Sequence, residues 1–346
     1  MTNSTILELT ENYLKTEIAA IANECDRDSE ILRSALQGLA VRNLLALRVP
    51  KVWNGAGFAD LEFSKFQEQI ARYSGALAFL QTQHQSAGAI LVKSDNEALK
   101  QQYLPFMGSG EKLVGIGFSH LRRTNSPLKA LRVEGGYQLY GQVPWITGCD
   151  FFQTVLLAAL LPDGRAVYGM VPLTNRAEIH LSEPMPLAAM TSTNTITAEI
   201  TNYVLPDSDV AFIVPAGAIH KSDRTTVLNH SFFALGCAQA GLDVVASIQH
   251  AKPFLTIPNT LSEELDRCRQ SIYTAADQPF ETKLTLRAWA IDLAVRCAHA
   301  AVIVSSGAAN SLNHPAQRIY REALVFSVAG QTIDVLQASL DRLMKT

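Results

Sequence analysis

Trp145 and Thr147 place a large flat indole and a hydroxyl group two residues apart, a combination that suits the binding of a cofactor. They follow a segment in which Gly135 and Gly136 predict a tight turn and the next residues alternate as a strand does. Residues two apart in a strand share a face, so the indole and the hydroxyl are expected to point the same way. Such a surface suits a flat heteroaromatic cofactor with polar edges; the alternative is a core tryptophan followed by a β-branched strand residue.

Histidine side chains are the groups in this sequence best suited to move a proton, because their ordinary pKa lies near neutrality. His84 lies on a predicted apolar helix, His230 directly follows Asn229, and His120 directly follows Ser119. Each of these histidines is also compatible with a structural role inside the protein. We take His84, His230 and Asn229 as candidate catalytic residues.

The composition is that of a globular protein with a sizeable core. The chain has 346 residues, of which 48% are apolar and 18% charged, and a formal net charge of −3. No block of basic residues could follow a phosphate backbone, so we expect no nucleic-acid partner. The first residues are polar and include Glu8 and Glu11, which argues against a signal peptide. No stretch of about eighteen uncharged apolar residues occurs, which argues against a membrane span.

The spacing of cysteines and histidines argues against a metal site. The five cysteines are widely separated and never form a C-x-x-C pair, and the eight histidines are spread from His84 to His314. We therefore expect no metal, free thiols in a reducing compartment and, by default, a cytoplasmic protein.

Segments of different periodicity have to position the candidate residues. Residues 1–111 are predicted to form an α-helical domain, in which Asp28 or Ser29 caps a helix with apolar residues three and four apart. Residues 112–213 alternate with a period of two and are predicted to form an antiparallel β-sheet domain. The sequence Pro162-Asp163-Gly164 predicts a hairpin turn within that sheet.

Residues 214–346 are predicted to form a four-helix bundle. The predicted helices cover residues 225–249, 263–276 with Ser262 as the cap, 280–304 and 315–344. The third helix is apolar almost all round, which indicates burial by neighbouring helices or by another subunit.

Motifs spread over nearly the whole chain resemble those of the acyl-CoA dehydrogenase superfamily, in the family's order. They are Tyr103-Leu104-Pro105 with Gly108-Ser109-Gly110-Glu111, then Trp145-Ile146-Thr147, then Ala234 to Leu242, and finally Arg318 to Ala323. The resemblance implies an α+β fold with an N-terminal helical domain, a middle antiparallel β-domain and a C-terminal four-helix bundle. It also implies a homodimer or homotetramer formed through the bundle.

The resemblance implies a flavin, FAD by default, bound at the β-domain. Trp145 would pack against the flavin ring, Ile146 would lie beside it, and Thr147 would hydrogen-bond the ring's edge. Phe118 and Ser119 would meet the pyrimidine side, where donors stabilise the charge that develops on reduction.

The loop after Ser119 departs from the family's pattern. It lacks the glycine that lets the backbone approach phosphate, and it carries Arg122 and Arg123 instead. These guanidinium groups could hold a flavin or CoA phosphate, or they could lie on a solvated loop. The family's R-x-x-F-G element also has no counterpart between Lys252 and Pro279. FAD, FMN and an empty site therefore stay open.

The family's catalytic glutamate is missing. Dehydrogenation beside a thioester needs a carboxylate to take the α-proton. The resemblance places Gly330 at the usual position of that residue and Thr226 near the alternative position, and it gives Glu322 a structural role. His84 would lie at the family's substrate cavity, and His230 about one turn beyond Thr226.

The sequence therefore supports three hypotheses. The first is a flavin-dependent oxidoreductase that acts on an acyl-CoA or a similar small substrate. The second is a flavin-dependent monooxygenase of the same fold, which uses reduced flavin and oxygen with histidine assistance. The third is a catalytically inactive member of the fold that acts as a binding or scaffold protein.

Overall fold

A computed structural model describes residues 2–248 and 256–344, and the chain begins with helices. The helices before the sheet are α1 (Asn3–Tyr13), α2 (Ala22–Cys25), α3 (Ser29–Ala40), α4 (Asp60–Tyr73), α5 (Gly75–Leu91) and α6 (Glu97–Met107). The Asp28 side chain accepts hydrogen bonds from the backbone N–H groups of Glu30 and Ile31, so the predicted cap of α3 is confirmed. Ser74 caps α5 in the same way through the N–H of Leu77.

The N-terminus of α5 is tied to the C-terminal helices by a buried ion pair. The N–H of Gly75 donates to Glu322 Oε1 at 3.0 Å, and the Arg318 guanidinium donates to the same oxygen at 2.8 Å. A Cβ at position 75 would lie 2.7 Å from Glu322 Cδ, so only glycine permits this approach. Glu322 is fully buried in this contact, in agreement with the structural role that the resemblance implies for it.

The middle of the chain forms a mixed eight-stranded sheet. Its strands are β1 (Val114–Gly117), β2 (Leu128–Val133), β3 (Gly136–Ile146), β4 (Thr154–Leu160), β5 (Ala166–Pro172), β6 (Ile179–Leu181), β7 (Ile196–Pro206) and β8 (Val210–Val214). The order is β6-β7-β3-β2-β4-β5-β8, with β1 beside β4. The predicted hairpin turns at Gly135 and at Pro162–Gly164 connect β2 to β3 and β4 to β5.

The expectation of a purely antiparallel sheet is wrong, because β1 and β2 both pair in parallel with β4. Alternation of apolar and polar residues reports which face of a strand is buried, and it carries no information on the direction of pairing. The period of two is also interrupted before the last long strand, β7, since residues 191–193 form a short turn of 3₁₀ helix.

The chain after the sheet is helical again. Its helices are α7 (Ala218–Thr225), α8 (Ser231–Ser247), α9 (Thr256–Tyr273), α10 (Phe280–Ser305), α11 (Pro315–Val328) and α12 (Ile333–Leu343). The segment Phe280–Asn310, which contains α10, is long and apolar enough to cross a membrane by length and composition alone. Helices α8, α9, α11 and α12 pack around α10, and half of its apolar window is buried within the protein, as in the core helix of a bundle.

Three predicted helix boundaries are wrong. The helix predicted over 225–249 is broken by the connection 226–230, and its predicted end at residue 249 lies outside the described residues. The helix predicted over 315–344 is broken at Gly330, which has a φ of 58°. Ser262 lies inside α9 rather than at its cap. Apolar periodicity continues across each break, so the pattern alone does not reveal where the backbone turns.

Candidate active site

A cavity of about 680 Å³ lies where the three parts of the chain meet. One side is formed by α4 and α5, and the sheet contributes the end of β1 and the end of β3. The other side is formed by the connection 226–230 and by the C-terminal end of α11. Since these elements are far apart in sequence, the cavity exists only after the domains have packed together.

Trp145 and Thr147 both line this cavity, as their predicted shared face requires. The Trp145 side chain is 48% exposed although it lies on a central strand, so the alternative of a core tryptophan is wrong. Thr147 is only 7% exposed. Its Oγ1 lies 3.0 Å from Thr195 Oγ1, which in turn lies 3.2 Å from Thr193 Oγ1. The wall thus offers an open indole surface beside a chain of three hydroxyl groups.

Phe118 and Ser119 line the same cavity from the end of β1. The Phe118 ring packs 5.6 Å from the Tyr168 ring, which fixes the Phe118 side chain against the sheet. The next residue, His120, does not line the cavity: its Nε2 lies 2.8 Å from the carbonyl of Ala158. Burial lowers the pKa of His120 to about 4, so this histidine is a neutral part of the interior.

The structure contradicts the prediction that Ile146 lies beside the cofactor. Its side chain is 2% exposed, packs in the main apolar core and does not line the cavity. The period of two that turns Trp145 outward necessarily turns its neighbour inward.

The prediction that Arg123 binds the cofactor is also wrong, because its side chain is exposed and does not line the cavity. Arg122 does line it, but its Nε and Nη2 donate to the Asp223 carboxylate at 2.8 and 2.7 Å. The interpretation of the arginine pair as a phosphate clamp therefore applies at most to Arg122. Asp223 also lines the cavity and was missed from the sequence, where 101 residues separate it from Arg122.

The prediction that His84 is a catalytic residue is wrong, since it is fully buried and does not line the cavity. The N–H of Val114 donates to its Nδ1 at 2.9 Å, so the remaining ring proton on Nε2 donates to the Met107 carbonyl at 3.1 Å. Burial lowers the pKa of His84 to about 4. This side chain joins α5 to β1 and to the end of α6, and it has no route to a substrate.

His230 and Asn229 do line the cavity. Burial, together with the positive charges of Arg287 and Arg122, lowers the pKa of His230 to about 3. The imidazole is therefore neutral at physiological pH. Its ring lies edge-on to Phe233 at 6.0 Å, on the first turn of α8.

Gly330, which the resemblance places at the usual position of the family's catalytic glutamate, lies directly against His230. A Cβ placed on Gly330 would come within 2.5 Å of His230 Cε1, so the imidazole occupies the space that a side chain at position 330 would need. Thr226, near the alternative position of the glutamate, lines the same cavity. Neither residue carries a carboxylate. Among the described residues, the carboxylates that line the cavity are Asp60 and Asp223, which are paired with Arg48 and Arg122.

Comparisons with known proteins agree with this architecture. A family model for the acyl-CoA dehydrogenase N-terminal domain matches residues 2–111. A probable acyl-CoA dehydrogenase, YngJ, of Bacillus subtilis (strain 168) is 21% identical over 368 residues, which cover 97% of this chain and 96% of the relative.

Solved structures share the fold over the whole chain. Glutaryl-coenzyme A dehydrogenase in its glutaryl-CoA complex superposes with a TM-score of 0.83 and 18% identity, covering 99% of this chain and 95% of that chain. KijD3, in a complex with FMN and a dTDP-linked amino sugar, superposes with a TM-score of 0.81 and 17% identity, covering 99% of this chain and 94% of that chain. The predicted fold is confirmed, and the family model over residues 2–111 and the full-length relative support the predicted resemblance to the acyl-CoA dehydrogenase superfamily.

Proposed function

We propose that the chain is a flavin-dependent oxidoreductase, with the flavin ring held against Trp145 and Thr147 and a small substrate in the remainder of the cavity. The observation that carries this proposal is the half-exposed indole of Trp145 on the cavity wall, beside the buried hydroxyl of Thr147. An apolar aromatic face left open in an interior cavity favours a flat partner that covers it.

The residues of this wall fit a flavin ring by their chemistry. Trp145 and Phe118 offer aromatic surface, and Thr147 and Ser119 offer hydroxyl groups to a polar edge. A bound flavin would supply hydride or electron transfer to and from the substrate. The hydroxyl donors would stabilise negative charge on the cofactor's edge, and the aromatic side chains would exclude water from it.

His230 is the residue we propose for contact with the substrate's reacting group, together with Asn229. A neutral imidazole holds a proton on one ring nitrogen and leaves the other as an acceptor. With a pKa of about 3, His230 is a weak base, so it is better suited to hydrogen bonding a substrate oxygen or nitrogen than to removing a carbon-bound proton.

An acyl-CoA or a similar thioester is the first substrate class to test. Support comes from the relative named as a probable acyl-CoA dehydrogenase and from the fold shared with a glutaryl-CoA complex. The described residues that line the cavity offer such a reaction no free carboxylate, because Asp60 and Asp223 are each paired with an arginine.

The second candidate function is a flavin-dependent monooxygenase, and the neutral His230 in the space beside Gly330 favours it. Oxygen insertion at a heteroatom or an activated ring needs hydrogen bonds to a developing oxyanion rather than a carboxylate base. This hypothesis predicts oxygen consumption with reduced flavin and its loss in His230→Ala.

The test is the visible spectrum of the purified protein, followed by separate titrations with FAD and FMN. Saturable binding of either flavin supports the proposal, and the tighter of the two identifies the cofactor. Thioester-dependent bleaching of the bound flavin under anaerobic conditions supports the dehydrogenase, and oxygen uptake by the reduced form supports the monooxygenase. A colourless protein that neither flavin saturates would overturn both in favour of a binding or scaffold role.

A further inference from the structure

Arg287 is a buried cation that has no carboxylate partner among the described residues. Its side chain, on α10, is 3% exposed. Nη1 donates to the Val227 carbonyl at 2.8 Å, and Nη2 donates to the carbonyls of Ala329 at 2.7 Å and Gly330 at 3.1 Å. Its buried Nε has no hydrogen-bond partner.

Such an arrangement is costly. A buried charge normally has an opposite charge beside it. Burying an ion without a counter-ion costs on the order of several kcal/mol of folding free energy. Burial and the nearby charge of Arg122 lower the pKa of Arg287 to about 10, although the charge of the Asp223 carboxylate acts in the opposite direction. Three backbone carbonyls offset only part of that cost, so a role limited to packing would be served better by an apolar side chain.

The carbonyls that Arg287 contacts belong to the two segments that frame His230. Val227 lies in the connection 226–230 before α8, and Ala329 and Gly330 directly follow α11. Gly330 adopts a left-handed conformation with a φ of 58°, which brings its backbone against the imidazole. The guanidinium, the Gly330 backbone and the His230 ring therefore follow one another towards the cavity.

We propose that Arg287 is a positioning residue that fixes the neutral imidazole of His230 in the cavity wall by joining the segments on its two sides. Arg287 from α10 and Arg122 from the connection between β1 and β2 disfavour the imidazolium form. Asp223 on α7 is the carboxylate on this side of the cavity, and its charge is engaged by Arg122. The catalytic role of His230 rests on the proposed function, whereas the protonation state and the position of its ring do not.

The test is the titration of the His230 ring by NMR in ¹³C,¹⁵N-histidine-labelled full-length protein, between about pH 3 and pH 8. It is recorded for the unaltered protein, for Arg287→Met and for Arg287→Lys. Lys283→Met is the matched control: it removes one positive charge from the same helix, and Lys283 donates to Ala276, away from the cavity. No flavin is needed, so failure of flavin binding does not affect the result.

In the unaltered protein and in Lys283→Met, His230 is expected to stay neutral down to the acid end of the titration. In Arg287→Met its midpoint is expected to rise by at least about one pH unit, a tenfold change in proton affinity. Arg287→Lys keeps the charge but cannot span both segments, so it is expected to keep a low midpoint while the ring resonances shift. The proposal is overturned if Arg287→Lys and folded Arg287→Met both show the same His230 midpoint and ring resonances as Lys283→Met. Arg287 would then be a structural cap.

Discussion

At the scale of single residues, similar side chains have different roles because of the backbone around them. His84 and His230 are both neutral, but His84 is held by two backbone groups between the N-terminal helices and the sheet, and His230 faces the cavity. Trp145 and Ile146 are neighbours on one strand, and only the first is open to a ligand. Exposure to the cavity, rather than residue type, separates candidate functional residues from structural ones.

Replacing Trp145 with alanine is expected to weaken flavin binding by about tenfold to a hundredfold, because the aromatic surface that would cover the ring is lost. The measurement is a flavin titration followed by fluorescence quenching, with thermal unfolding to check the fold. Tyr140→Ala is the control, since Tyr140 is an exposed aromatic residue on the same strand that does not line the cavity. Equal flavin affinity in the two variants would remove Trp145 from the proposed site.

The pH dependence of stability is expected to report on His84. Its pKa is about 4 in the folded protein and ordinarily about 6.5, so the unfolded chain binds the proton more tightly. The stabilisation is therefore complete above about pH 6.5 and is lost as the pH falls towards 4, by roughly 3 kcal/mol at most.

The variant His84→Leu is expected to reduce this loss of stability on acidification. It also leaves the Val114 N–H without a partner and removes one of the two hydrogen bonds to the Met107 carbonyl, which keeps that from the Gly110 N–H; the loss costs about 1–3 kcal/mol near neutral pH. Urea unfolding at several pH values measures both effects. If the free energy of unfolding of His84→Leu falls as steeply on acidification as that of the unaltered protein, the assignment of this pH dependence to His84 is wrong.

At the scale of elements, the cavity depends on how helix ends are held. The buried pair of Glu322 and Arg318 on α11 anchors the first turn of α5, through the N–H of Gly75. Arg287 holds the other end of α11 beside His230. One helix thus connects the N-terminal part to the wall that carries the candidate catalytic residue.

Removing the charge of Glu322 with Glu322→Gln is expected to destabilise the protein by about 3–5 kcal/mol, because it leaves Arg318 buried without its counter-charge. Glu97→Gln is the control: the Glu97 side chain on α6 is largely exposed where it pairs with Lys100, so the loss should stay below about 1 kcal/mol. Equal midpoints of thermal unfolding for the two variants would show that the buried pair is not the anchor.

At the scale of the whole molecule, the C-terminal helices expose an apolar face. Leu324 on α11 and Ile333 on α12 are 55% and 87% exposed, and Val328, Leu336, Leu340 and Leu343 extend this face. Exposed apolar surface of this kind is typical of contact with another chain. We propose that it contributes to a homodimer or homotetramer.

Light scattering coupled to size exclusion is expected to show a dimer or tetramer that the double variant Leu324→Glu with Ile333→Glu converts to smaller species. Burying two carboxylates in an interface costs several kcal/mol of association energy on an order-of-magnitude scale. Val52→Glu, at an 80% exposed apolar residue of the N-terminal part, is the control and should leave the mass unchanged. A monomeric unaltered protein would contradict the proposal.

Several features could be predicted from the amino-acid sequence: the order of helical and strand segments, the cap of α3, the hairpin turns and the outward face shared by Trp145 and Thr147. These features follow from local backbone preferences and from the periodicities of helix and strand, which act over a few residues. The breaks near His230 and Gly330 escaped prediction, because the apolar pattern runs through them.

The set of polar residues that meet at the cavity depends on contacts between distant segments. The pairing of Arg122 with Asp223, the contacts of Arg287 and the fit of His230 against Gly330 join segments that are far apart in the chain. The burial of His84 likewise depends on β1 and on the end of α6. Such contacts form when separate elements pack, and no pattern within one segment encodes them.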